Sequence, residues 1–131
     1  MKYRLMGFSV LTMLGSSLAA DAGLRVDVPV QIIRFANGGG NINGSLSSTR
    51  NSLDSTTQLS CRYSVFQGTK LGSCFASDGV QTMLCIATDP NQIDTISRIA
   101  SDSYVTIIVD ATGVCQTIEI EAASWTAPKN K

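Results

Sequence analysis

The chain has 131 residues, of which 44% are hydrophobic and only 15% charged, with ten basic and ten acidic side chains and no histidine. A formal charge of zero without any cluster of Lys or Arg lacks the basic stripe with which nucleic-acid binders hold phosphates, so no nucleic-acid partner is expected. The missing histidine removes Ser-His and Cys-His nucleophile pairs and every His-ligated zinc or iron site.

Lys2 and Arg4 form a positive n-region, and Leu5–Leu14 is an apolar run of about ten residues, the layout of a secretory signal peptide. A bilayer-spanning anchor takes roughly twenty apolar residues, so a retained membrane helix is the weaker reading. The small-residue frames Ser17-Leu18-Ala19 and Ala20-Asp21-Ala22 place cleavage so that residues 1–20 are signal and residues 23–131 form one small domain. No cysteine follows the apolar run to take a lipid, and no later segment is apolar enough to span a membrane. The product is expected to be secreted or periplasmic, with eight basic and ten acidic side chains once residues 1–20 are removed.

Residues 24–35 alternate: Leu24, Val26, Val28, Val30 and Ile32 fall on one side, Arg25, Asp27, Pro29 and Gln31 on the other, which predicts a half-buried strand. Pro29 cannot donate to a ladder, which places this strand at a sheet edge or at a bulge. The parity change at Ile32, Ile33 and Phe35 points to a bulge or bend near residues 32–33. Residues 36–57 are so rich in Gly, Asn, Ser and Thr that a long mobile loop is expected. Its NGGGNING run is no phosphate loop, since no Gly-Lys-Ser/Thr follows. Asn43-Gly44-Ser45 is formally a glycosylation sequon.

A three-stranded meander comes next: residues 58–66, a turn at Gln67–Lys70, a return strand over 71–77, the Asp78-Gly79 hairpin signal, and a strand over 80–88. Each strand carries one cysteine. Asp89-Pro90 reads as an N-cap followed by proline at the first helical position. Ile93, Ile96, Ile99 and Ala100 then recur at helical spacing, predicting one helix over residues 90–101. Tyr104–Val109 is a β-branched strand, Asp110–Gly113 a turn, and residues 114–121 a final strand. There Cys115 shares a parity with Thr117, Glu119 and Glu121, so it lies on the more polar face or across a bulge.

The four cysteines, Cys61, Cys74, Cys85 and Cys115, are spaced by 13, 11 and 30 residues with no Cys-x-x-Cys knuckle. An even count in an exported chain reads as two structural disulfides rather than a zinc or redox site. Of the three connectivities, Cys61–Cys74 with Cys85–Cys115 is preferred: the first links neighbouring strands of the meander, the second ties the meander to the last hairpin. The other two stay open.

Cys74, Asp78-Gly79, Cys85, Asp89-Pro90, Ser103-Tyr104-Val105, Asp110–Cys115 and the ending Ser124 to Ala127-Pro128-Lys129 together resemble a group of short, uncharacterised exported bacterial proteins. The resemblance covers roughly residues 58–129. It implies a bacterial source and a shared scaffold, and carries no activity, ligand or catalytic residue.

Few residues offer chemistry. Asp102 and Asp110 bracket one strand about 26 Å apart, too far to act on one bond. Glu119 and Glu121 share a strand face and are expected to meet solvent. No calcium-loop pattern occurs. Trp125 is expected to cover one end of the core and tie down the tail, in preference to stacking on a sugar or partner. The expectation is therefore an α+β domain, mainly antiparallel sheet with the 90–101 helix packed on it, without catalytic residues, cofactor or metal. Its function would be that of a non-enzymatic binding or structural module presenting loops 36–57 and 67–73 to a protein or glycan surface. The alternative is a secreted bacterial toxin or effector, or a carboxylate-dependent enzyme.

Overall fold

The structure, a computed structural model, describes residues 26–125. The expected signal peptide, Leu24 and the Ala127-Pro128-Lys129 ending lie outside these residues. Two antiparallel sheets with few helices make an α+β, mostly β architecture. The first sheet contains β1 (Gln31–Arg34), β2 (Gly40–Ser45), β6 (Tyr104–Val109) and β7 (Cys115–Glu121), in the order β1-β2-β6-β7. The second is the expected meander of β3 (Thr57–Phe66), β4 (Thr69–Asp78) and β5 (Thr82–Ala87). Two helices accompany them, α1 (Leu46–Arg50) and α2 (Pro90–Ser97).

Alternation in β2, β6 and β5 turns one side chain in two inward. Ile42, Val105 and Ile107 from the first sheet join Leu59, Cys74, Ala76, Met83, Cys85 and Ala87 from the second in one buried cluster. α2 closes this core by setting Ile93 and Ile96 over the paired residues Gly72 and Ala87. A Cβ on Gly72 would lie 2.9 Å from Ile96 Cδ1, so the glycine there makes room for the helix. Asp89 caps α2 by accepting from the Asn91 N–H (2.7 Å), with Pro90 in the first turn, as the sequence predicts. The helix is shorter than the expected 90–101. It ends at Ser97 because Arg98 and Ile99 tighten onto the carbonyls of Thr95 and Ile96, and Ser103 Oγ then accepts from the Ala100 N–H.

The largest correction concerns residues 36–57. The stretch expected to be a mobile loop contains β2, an interior strand of the first sheet, and the buried helix α1. Its glycines are small because backbone comes close: a Cβ on Gly44 would stand 2.5 Å from Val30 Cα, and one on Gly39 2.4 Å from the Val109 carbonyl oxygen. Its hydroxyls replace ladder partners. Ser48 Oγ accepts from the Val28 N–H (3.1 Å) and Thr49 Oγ1 from the Val30 N–H (3.0 Å), while Ser45 caps α1 by accepting from the Ser48 N–H (3.1 Å). Asn43 and Ser45 of the formal sequon therefore sit within β2, with Ser45 fully buried.

Smaller differences follow the same logic. β1 is an edge strand, as Pro29 requires, but it begins two residues after the proline and its register against β2 is unbroken from Gln31–Asn43 to Arg34–Gly40. The expected bulge at residues 32–33 is absent, and Ile33 and Phe35 are exposed. The turn expected over Gln67–Lys70 narrows to Gln67 and Gly68, both at positive φ, so β4 begins at Thr69, and β3 and β4 are ten residues each. A register shift does occur at Ile108/Val109, where Val109 pairs with Cys115 and Ile108 with Thr117. That bulge turns Cys115 from the face of Thr117 and Glu119 into the core.

Candidate functional site: the outer face of the three-stranded sheet

The cysteines form two disulfides, Cys61–Cys74 and Cys85–Cys115, with Cα separations of 4.0 and 5.0 Å. The first staples β3 to β4. The second joins β5 to β7, and thus one sheet to the other. Beside it the Ile86 N–H donates to the Gly113 carbonyl (2.9 Å), and further along Gln81 Nε2 donates to the Ile32 carbonyl (2.7 Å). The Arg34 side chain bonds Gln81 Oε1 (3.2 Å) and the Thr82 carbonyl. These contacts hold the meander at a fixed position on the first sheet.

The acidic residues are spread out and several are engaged in turns. Asp110 Oδ1 accepts from the N–H groups of Val114 (2.9 Å) and Thr112 (2.8 Å) and from the Thr112 hydroxyl, and these bonds, Val114 first, hold its carboxyl below the usual range. Asp78 accepts from the Gln81 and Val80 N–H groups and is lowered chiefly by the Gln81 bond. Asp54 accepts from the N–H and hydroxyl groups of both Thr57 and Thr56 and is the most strongly lowered, Thr57 contributing most. Asp102 is exposed at the end of β6 opposite Asp110, and Glu119 and Glu121 are exposed along β7. Among the described residues no group of three His, Cys, Asp or Glu side chains could hold a metal ion. Trp125 is half-buried with its ring 5.4 Å from that of Tyr104, and its carbonyl accepts from the Val26 N–H (2.9 Å). It pins the two ends of the described chain together.

What stands out is apolar surface. Residues opposite one another in an antiparallel sheet share a face. The outer face of the meander consequently carries the rows Ser60–Phe75–Leu84 and Arg62–Ser73–Ile86, then the pair Ser64–Leu71. Leu84, Ile86 and Leu71 are 54%, 52% and 46% exposed. Phe66 extends the patch to the hairpin tip at 65% exposure. Arg62, Leu71 and Ile86 border a shallow hollow of about 280 Å³, in which Arg62 is the one charged side chain. Arg62 forms no ion pair among the described residues. The outer face of the first sheet is different in kind: its rows Ile33–Asn41–Ile108–Thr117 and Gln31–Asn43–Thr106–Glu119 are mostly amides, hydroxyls and an acid.

Of the two loops expected to meet a partner, residues 36–57 are folded into the structure, whereas residues 67–73 form the hairpin tip and lead into the apolar patch. The patch is not legible in the sequence because alternation identifies a strand without saying which parity faces outward. What signal there is lies in β5, which reads Thr82-Met83-Leu84-Cys85-Ile86-Ala87, apolar at both parities except at Thr82. No family model, curated protein or solved structure matches this chain.

Proposed function

We propose that the chain is an exported, non-enzymatic binding or structural module that docks a protein partner through the outer face of the β3-β4-β5 sheet. The observation that carries this reading is the exposure of Leu71, Leu84 and Ile86 around Arg62 on a disulfide-braced sheet. A contiguous apolar patch rimmed by polar residues marks an interaction surface. Aliphatic side chains beside a single cation favour an apolar protein segment carrying a carboxylate over a glycan, which needs aromatic platforms and convergent hydrogen bonding. Export is supported by the Lys2, Arg4 and Leu5–Leu14 pattern and by two disulfides, which persist in oxidising compartments. No described helix is long and apolar enough to cross a membrane.

The test is affinity capture from the native source with the oxidised protein residues 23–131, in parallel with the double variant Leu84→Ser, Ile86→Ser. A partner retained by the first and lost by the second, with circular dichroism unchanged, is the expected result. A partner held equally by both would place binding elsewhere on the molecule.

A further inference from the structure

β3 occupies the edge of its sheet, and its hydrogen-bonding phase can be fixed from two observations. Cys61 and Cys74 are paired with their Cα atoms 4.0 Å apart, the spacing of a pair that does not exchange backbone hydrogen bonds. The two-residue turn closes on Phe66–Thr69, which is then a bonded pair, in phase with the first assignment. Even-numbered residues of β3 therefore bond β4. Cys61, Tyr63 and Val65 point their N–H and C=O groups away from the sheet, and those of Tyr63 and Val65 have no partner among the described residues.

Natural sheets guard such edges with proline, bulges, short strands or inward-pointing charge. β1 follows that pattern, with four residues and Pro29 just before them. β3 carries one charge, Arg62 on its outer face, but it has ten residues in unbroken register with no proline, and its inward positions, Thr57, Leu59, Cys61, Tyr63 and Val65, hold no charge. Tyr63 and Val65 are 40% and 57% exposed.

We propose that β3 pairs antiparallel with β3 of a second copy of this chain, about a two-fold axis through Ser64. In this register Tyr63 and Val65 exchange backbone bonds with Val65 and Tyr63 of the second copy, which uses the groups that point outward. Ser64 meets Ser64 as a close, non-bonded pair. On the inner face each Tyr63 packs on a Val65, an aromatic and β-branched pair of the kind that stabilises sheets. On the outer face each Arg62 lies across from Phe66 of the second copy, where a guanidinium over a ring is attractive, and the two arginines are kept apart. Moving the two-fold axis two residues along the strand, from Ser64 to Arg62, would set Arg62 against Arg62. The far side of the sheet cannot extend in the same way, because β5 is bridged there by Val114 through Ile86. Growth at one edge only gives a closed two-fold dimer instead of a fibre.

The experiment measures the mass of the oxidised protein, residues 23–131, by sedimentation over a concentration series. Wild type is expected to dimerise, and Val65→Lys, which places a charge opposite Tyr63 without touching a β4 bond, to remain a monomer with unchanged circular dichroism. Ser64→Cys is expected to give a covalent dimer on mild oxidation. Ser60→Cys, which lies opposite Gly68 in this register, is expected to give none. A wild-type monomer at every concentration, a dimer unaffected by Val65→Lys, or equal crosslinking of the two cysteine variants would overturn the pairing. So would a monomer whose edge is occupied by a different protein. The pairing shares Arg62 and Phe66 with the docking face but uses neither Leu84 nor Ile86: Leu84→Ser, Ile86→Ser should abolish partner capture and leave the dimer intact, so either reading can fail alone.

Discussion

Asp54, Asp78 and Asp110 each spend their charge on the backbone of a turn. Each carboxylate accepts N–H groups two to four residues further along the chain, so the local sequence is the main cause that lowers its pKa. Asp78 and Asp110 are legible as turn residues because Gly79 and Gly113 follow them at positive φ. Asp54 is not, since it lies in a stretch whose composition reads as loop. A carboxyl with a lowered folded pKa binds fewer protons folded than unfolded, so its contribution is fully present above the unfolded value of about 3.9 and is lost as pH falls through the lower folded value. The thermal midpoint is therefore expected to hold from neutral pH to about pH 5 and to fall at more acid pH. Asparagine at all three positions keeps an acceptor but not the charge. That variant should be less stable at neutral pH and lose less on acidification; parallel curves in melts from neutral to strongly acid pH would show that the turns do not use the charge.

At the scale of elements, the meander, α2 and β6 are legible because their periods are clean and their punctuation is specific: Asp78-Gly79, Asp89-Pro90, Asp110–Gly113. β2 and α1 are not, because they are built from residues whose composition is that of a linker. Asn41, Ile42 and Asn43 do alternate, but one isoleucine is too little apolar signal to outweigh the surrounding glycines, and the hydroxyls of Ser48 and Thr49 show their purpose only once Val28 and Val30 lie beside them. The difference can be measured at Gly44. In a mobile loop Gly44→Ala would change stability by less than about 0.5 kcal/mol. In β2 the new methyl meets Val30 Cα at 2.5 Å, backbone against backbone, which no rotamer change relieves. A loss of about 1–3 kcal/mol is expected, read from the urea midpoint at unchanged slope. The candidate docking face was hidden for a related reason: alternation identifies a strand, yet β5 is apolar at both parities but for Thr82, so nothing in its sequence says that Leu84 and Ile86 face outward.

For the molecule as a whole, what must be explained is how a small three-stranded meander stays registered on a separate four-stranded sheet. The sequence could favour a cysteine pairing but not fix it, because Cys61, Cys74 and Cys85 occupy one row of the meander and Cys74 is a neighbour of both others. What selects the pairing is the bulge at Val109, which turns Cys115 inward toward Cys85; without it Cys115 would share the outward face of Thr117. The two bridges then do different things. Cys61–Cys74 closes a separation of 13 residues between strands already joined by a tight turn, whereas Cys85–Cys115 closes 30 residues and links the sheets. By loop length alone the second contributes about 0.7 kcal/mol more. Both of its ends are fully buried, against Cys74 alone in the first bridge, so the serine pair there leaves two hydroxyls in the core instead of one. The paired variant Cys85→Ser, Cys115→Ser is therefore expected to lose more stability than Cys61→Ser, Cys74→Ser, by at least about 1 kcal/mol in urea unfolding. Hydrogen exchange separates the reasons: loss of the inter-sheet bridge should deprotect Ile86 and the Gly113–Cys115 segment first, where the sheets touch. If both variants unfold at the same midpoint, the sheets are held by the Ile86–Gly113 and Gln81–Ile32 hydrogen bonds and by the shared apolar core, and the disulfide adds no constraint that packing has not already imposed.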